Sequence, residues 1–340
     1  MIGAYIVNDH YIVKLLWMSL ASFFLLHLAM GLIVGGIAPF AVRAAARMRA
    51  GSGARFLLAI RLFPCAFAVF AVAVLCVPSY LWLEPDAASE EIGFPCLAAA
   101  ALCVTIWTIS LARTARAAGI SLRYFRGCRN AAQELDLPAC PVTGWVIESS
   151  GHSIELAGIF RPRVVIGRDV LGVLSREQLD AAMRHEWAHA TSRDNLKRLM
   201  ILLAPDVLPF VRSRFADLDV AWARFAEWAA DDSAAAGDER RSLSLAAALV
   251  AVARIGIPPR TSPLTTSPLV TSPLITPMVA HPGELSTRVN RLLDPRPVAQ
   301  NWRRVPWFSA AAALAAVLVA LGLGPSTLYA VHELLENWVR

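Results

Sequence analysis

Four apolar runs constrain this chain more than any other feature. They cover residues 15–38, 62–83, 94–112 and 305–323, and each reaches the ~20 residues that a helix needs to cross a hydrocarbon core. Inside lipid every backbone polar group must find its partner within the segment, so such runs are read as helices. The remaining composition agrees: 56% of residues are hydrophobic and 17% charged, against roughly 45–50% and ~25% in soluble domains. A purely soluble enzyme is excluded. The first run exceeds a signal-peptide core of ~7–15 residues and has no clear small-residue cleavage site behind it, so it is expected to be retained. Six cysteines, Cys65, Cys76, Cys96, Cys103, Cys128 and Cys140, contain no CxxC pair, which points to neither a disulfide framework nor a cysteine zinc site.

The formal charge of +6 acquires its meaning from where the arginines fall. Arg43, Arg47, Arg49 and Arg55 follow the first run, with Arg61 placed to snorkel outward from the start of the second. Residues 84–95 carry Glu84, Asp86, Glu90 and Glu91 and no basic residue, whereas Arg113, Arg116, Arg123, Arg126 and Arg129 follow the third run and Arg303 and Arg304 precede the fourth. Basic loops stay in the cytoplasm. The expected topology is therefore a multi-pass protein of the cell (inner) membrane with Arg-rich loops inside and both termini outside. Trp17, Tyr80, Trp82 and Trp307 sit where interfacial anchors belong. The basic charge is thus accounted for by topology, and direct nucleic-acid binding loses its main support. His27, well inside the first run, reads as a hydrogen-bonded histidine ahead of a proton or ligand site.

Roughly 190 residues between the third and fourth runs suffice for one domain with its own core. Residues 145–148, 153–157 and 163–166 are β-prone and separated by turn residues, which predicts a small strand group. Ser175 with Gln178 three residues on forms a capping-box pattern, predicting a helix over 175–193; further helices are expected at 213–236 and 241–255. The apolar stretch 199–211 is too short to span and is broken by Pro205 and Asp206, so it is either an interfacial or re-entrant piece or the end of a core helix. Residues 261–278 read TSPLTTSPLVTSPLITPM, a proline repeat expected to act as an extended linker. The expected division is a three-span membrane domain at 1–113, a cytoplasmic domain at 114–300, and a fourth span with a short external tail at 301–340.

The chemistry concentrates in His185-Glu186-Trp187-Ala188-His189. On a helix, residues four apart share one face, so both imidazoles can meet one zinc ion with Glu186 beside the remaining coordination position. Catalytic zinc uses three protein ligands. On the next helix Glu227 and Asp231 are also four apart, flanked by Trp222, Phe225 and Trp228; Glu227 can complete the set and Asp231 can hold the distal nitrogen of a ligand histidine.

These residues, together with Arg193-Asp194-Asn195 and the ExxAD pattern at 227–231, resemble the gluzincin membrane peptidases. The layout of three spans, a zinc domain and a further span is similar to the BlaR/MecR-type antirepressor peptidases, and residues 158–174, with Arg161-Pro162, resemble the strand and loop before HExxH in that family. His281-Pro282 with Arg288 and Leu292 resembles the His-Pro to Arg segment of the related HtpX and CAAX prenyl-protease group. The resemblance implies an α-helical integral membrane protein with a mainly α, α+β gluzincin-like zinc domain, acting as a zinc endopeptidase at the cytoplasmic membrane face. It implies zinc on His185, His189 and Glu227, Glu186 as general base toward the activated water, and His281 as a donor to the tetrahedral oxyanion. The strand at 163–166 could accept an extended substrate by edge pairing. The implied substrate is a cytoplasmic transcriptional repressor or the chain itself. About 17 residues follow the fourth run, so an external penicillin-binding sensor is not expected. Two other readings stand beside this one: a membrane-protein quality-control peptidase, and a catalytically silent signalling scaffold, the latter disfavoured because ligands and base are all in place.

Overall fold

The computed structural model describes residues 9–83, 93–135, 144–148, 154–206, 209–256, 274, 276–278, 282–294, 324–327, 329–330 and 333. The fourth apolar run, His281 and nearly all of the proline repeat lie outside the described residues.

Among the described residues, three assemblies of helix are long and apolar enough to cross a membrane. The first is α1 (Asp9–Ala45); the second joins α2 (Ala50–Ala71), a π-helical turn (Val72–Cys76) and α3 (Val77–Leu83); the third is α4 (Phe94–Ala131). The π-turn has a local cause. Pro78 lacks an N–H and its ring crowds the carbonyl of the turn before it, so the helix widens just ahead of it instead of breaking. α4 runs 38 residues, well past the predicted end at 112, because residues 113–131 are mainly good helix formers with no proline. Its final turns leave the apolar run and reach the sheet described next. Phe40, Phe63, Val69, Leu102 and Ile109 point outward from these helices, as a surface facing lipid requires.

Five strands follow: β1 (Gln133–Leu135), β2 (Gly144–Ile147), β3 (Ile154–Ala157), β4 (Arg163–Gly167) and, after the helices, β5 (Thr276–Pro277). Their order is β1-β2-β4-β3-β5, with β2 and β4 parallel and the other pairs antiparallel. β4 is therefore an interior strand, hydrogen-bonded on both sides, and the expectation that 163–166 offers a free edge is corrected: β2 and β3 occupy its polar groups. The β3–β4 turn depends on Gly158, whose φ of 98° disfavours a side chain and whose missing Cβ leaves room for the Phe125 ring of α4.

The remaining helices are α5 (Arg168–Val173), α6 (Arg176–Ser192), α7 (Asp194–Leu203), α8 (Pro209–Ala235), α9 (Glu239–Gly256) and α10 (Pro282–Leu293). One core packs Ile154, Leu156, Val164 and Ile166 of the sheet against Ala182 and Met183 of α6 and Leu245 and Leu249 of α9. On the other face of the sheet, Trp145, Ala157 and Val165 meet Cys128 of α4. A separate core joins Phe215, Leu218, Trp222 and Phe225 of α8 to Ala38 and Ala45 of α1, Leu57 of α2, and Ile201 and Leu202 of α7. The stretch from 199 is thus a helix end in the core, the second of the two readings of it, and its run stops at Ala204 and Pro205.

Two membrane-helix residues resolve against the same corner. His27 donates from Nε2 to the Pro205 carbonyl at 3.0 Å, the hydrogen-bonded reading. Arg61 does not snorkel outward: it is 2% exposed and its guanidinium meets Asp206 and Asp219 at 2.9 Å each. Two inward carboxylates, brought from distant sequence, outweigh the pull of solvent on the side chain.

α2 approaches α8 at Gly53. A Cβ there would stand 2.7 Å from the Phe225 ring and 3.1 Å from the Ala45 carbonyl, whereas one at Gly51 would make an ordinary 3.8 Å contact with Ala229. Gly53→Leu is expected to lower stability by about 1–3 kcal/mol or more through overpacking, read as a fall in melting temperature in detergent; Gly51→Ala is expected to leave it unchanged or raised.

Candidate metal centre

α6 starts where its capping box predicts. The Gln178 amide donates to Ser175 Oγ at 3.3 Å, and the Gln178 side chain accepts from the Ser175 amide at 2.9 Å. From that start, helical geometry carries His185, Glu186 and His189 to the inward side, all three at 0% exposure. The two imidazoles stand edge to face, with their Nε2 atoms 3.3 Å apart.

α8 supplies the acids. Glu227 directs one carboxylate oxygen to within 3.5 Å of His185 Nε2 and the other to within 3.6 Å of His189 Nε2. Asp231, one turn further, lies 3.0 Å from His185 Nδ1. His189 has a matching partner from another direction. α6 ends at Arg193 in the left-handed region (φ 58°), and that corner starts α7 at once, so Asp194 turns back to accept from His189 Nδ1 at 2.7 Å. Each imidazole therefore has a carboxylate on Nδ1 and presents Nε2 to the same point. Lys197 and Ser192 hold the other oxygen of Asp194 at 2.8 Å, and Asn195 ties α7 to the carbonyls of Leu156 and Gly158.

This arrangement fits a tetrahedral metal. Ligand atoms of His185, His189 and Glu227 all lie within 4.8 Å of one another. Donors ~2.0–2.2 Å from one tetrahedral centre stand roughly 3.3–3.5 Å apart; the two Nε2 atoms stand 3.3 Å apart, and each is approached by a different oxygen of Glu227, at 3.5 and 3.6 Å. Glu186 adds a second indication: both carboxylate oxygens are buried without a hydrogen-bond partner among the described residues, an arrangement that is unfavourable unless something polar shares the space.

Sequence reading assigned no role to two residues that complete the centre. Asp194 had been noted only within a motif; its local signal was an acid placed directly after the end of the HExxH helix. Arg288 of α10 stood out only as part of the segment after His281-Pro282, with no role attached to it. It grips Asp231 with two bonds of 2.9 and 2.7 Å, approaches Glu227 at 3.1 Å, and donates to the Met278 carbonyl at 2.7 Å. Its Nη2 also lies 3.3 Å from His185 Nε2, the atom a metal would take. His281, the expected oxyanion donor, lies outside the described residues.

Charge sets the proton affinities. Burial disfavours the ionised form of Glu186, and although both histidines oppose this, the carboxyl is pushed up to about 7. Burial acts the same way on Glu227, but His189 and Arg288 outweigh it and hold that carboxyl well below the usual range. His189 is disfavoured as a cation by burial, yet Glu227 and Asp194 push it up to about 10. Asp194 is drawn down to about 2 against its own burial by His189 and Lys197.

Residues 126–294 match peptidase family M48. That segment runs from the end of α4 through the sheet, the HExxH helix and α8 to Arg288, just under half of the chain. A comparison with curated proteins finds no match. The family match and the His, His, Glu geometry both point to metallopeptidase chemistry, on a chain whose described residues include three helices long and apolar enough to cross a membrane.

Two outcomes follow from the geometry. Asp194→Asn keeps the side-chain shape but removes the charge behind His189, and is expected to weaken zinc binding by about 10–100-fold in chelator competition. In the metal-free protein His189 holds its proton at neutral pH, because its pKa is raised to about 10, and a metal must displace it. Apparent zinc affinity should therefore rise from about pH 6 to about pH 9, by up to roughly tenfold per unit for each proton released. A flat profile would contradict the assignment of His189 as ligand.

Proposed function

We propose that this chain is a zinc endopeptidase that cleaves a protein substrate at the cytoplasmic face of the cell membrane, in a regulatory, antirepressor-like role. The observation that carries the proposal is the convergence of His185, His189 and Glu227 beside a buried, unpartnered Glu186. His185, His189 and Glu227 hold the ion, with Asp231 and Asp194 fixing the histidine tautomers. When bound, zinc supplies Lewis-acid chemistry, acidifying water and polarising a carbonyl.

Glu186 does the proton work. A carboxyl raised to about 7 is ionised often enough near neutral pH to take a proton from the attacking water and, once protonated, is acidic enough to pass it on to the leaving amine. His281 is assigned as hydrogen-bond donor to the oxyanion of the tetrahedral intermediate. Arg288 neutralises Glu227 and Asp231, keeping the acidic side of the site from becoming a net repulsive field.

The Arg-rich loops support a cytoplasmic peptidase domain, 114–300, between a three-span region 1–113 and a fourth span in 301–340. The substrate is a transcriptional repressor or this chain itself. A second reading, quality control of membrane proteins, uses the same site and draws support from Arg288, which follows His281-Pro282 and sits inside the metal centre.

Glu186→Gln is expected to retain about one zinc per chain and to lose proteolysis by a factor of about 10²–10⁴. Equal turnover by both forms would remove Glu186 as base, and a wild-type protein without zinc would remove the peptidase reading. Cytoplasmic and membrane proteins cut in cells with the active form, but not with Glu186→Gln, separate the two substrate classes.

A further inference from the structure

Arg61 sits within the candidate span Ala50–Leu83 yet is 2% exposed. Its Nη2 donates to Asp206 Oδ1 and its Nε to Asp219 Oδ1, both at 2.9 Å, and the guanidinium carbon lies 4.5 Å from the centroid of the Phe215 ring. The two carboxylates belong to different supports. Asp206 ends the corner that follows α7, and Asp219 lies on α8. These are the elements that bring Asp194 to His189 and Glu227 to both histidines.

The corner after α7 is held from all three candidate membrane helices among the described residues. The terminal carbonyls of a helix lack intrahelical partners, and here Ser110 and Arg113 of α4 supply them: Ser110 Oγ donates to Leu203 at 2.6 Å and Arg113 Nη2 to Leu202 at 3.0 Å. Arg113 Nη1 also meets Asp206 Oδ2 at 2.9 Å, and His27 of α1 binds the Pro205 carbonyl. α7 has 10 residues, about 15 Å of rigid rod between this anchor and Asp194. On α8, Asp219 precedes Glu227 by eight residues, about 12 Å along the axis.

We propose that Arg61 is a positioning residue for the metal centre: by binding Asp206 and Asp219 together it fixes the axial setting of α7 against α8, and so the place where Asp194 and Glu227 meet the histidines. An apolar side chain could fill the same volume, and buried ion pairs are often no more stabilising than such a replacement. Only a forked cation bound to both carboxylates ties the two helices to one point on α2. The inference rests on the metal reading above.

The test uses full-length protein in detergent, with zinc affinity from chelator competition, the visible spectrum of the cobalt-substituted form, and melting temperature measured on each variant. Arg61→Met strands two carboxylates, so the triple variant Arg61→Met, Asp206→Asn, Asp219→Asn, which removes the charges together, guards against simple unfolding. Arg61→Lys keeps the charge but not the fork. The triple variant, folded at the temperature of the assay, is expected to bind zinc about tenfold or more weaker than wild type, with an altered cobalt spectrum, and Arg61→Lys to recover part of the loss. A folded triple variant or Arg61→Lys protein with zinc affinity within twofold of wild type and an unchanged spectrum overturns the proposal, since a structural role alone lowers only the melting temperature. Wild-type protein that binds no zinc overturns the metal reading, and this inference with it.

Discussion

The structure depends on a set of carboxylates sharing a space from which water is excluded. Glu186, Asp194, Glu227 and Asp231 are all nearly or fully buried within two shells of the same two imidazoles. Uncompensated, such a group would repel itself and protonate or open. It holds because Asp194 faces His189 and Lys197, Asp231 faces His185 and Arg288, and Glu227 lies between both histidines and Arg288. Glu186 alone has no cation in hydrogen-bond contact, and burial leaves it near neutrality in proton affinity. One carboxyl free to exchange a proton among several that are pinned is the division of labour that water-dependent bond cleavage needs.

α8 gives this arrangement its rigidity because it serves two cores at once. Up to Phe225 it presents Phe215, Leu218, Trp222 and Phe225 to α1, α2 and α7, while Ala234 and Ala235 at its end join the core under the sheet. Glu227 and Asp231 lie between these anchors. A helix clamped at both ends cannot rotate its acids away from the histidines without unpacking one core or the other, which is a stronger constraint than either side chain's hydrogen bonds provide.

What was legible in the sequence was what short-range rules govern. The capping box at Ser175 and the helical spacing of His185, Glu186 and His189 are local, and so is the pairing of Glu227 with Asp231 one turn on. Four apolar runs announce long helices by length alone, and three of them lie among the described residues. What was hidden came from tertiary meetings. Arg61 looked like a residue free to reach solvent because Asp206 and Asp219 are more than a hundred residues away in sequence. The interior position of β4 could not be seen because the strand order that sets β2 on one side of it and β3 on the other is a tertiary pairing that no local pattern encodes. Arg288 could be marked by its place after His281-Pro282, but its grip on Asp231 appears only where folding brings α10 against α8.

The length of α4 has a mechanical consequence. At 1.5 Å per residue its 38 residues form a rod of about 57 Å, nearly twice the thickness of a hydrocarbon core. One end is apolar; near the other, Tyr124 donates its hydroxyl to Glu155 on β3, the strand that α6 packs against. Each degree by which such a rod leans carries its far end about 1 Å sideways. α4 thus joins the apolar helices to the strand beside the HExxH helix as one continuous rod.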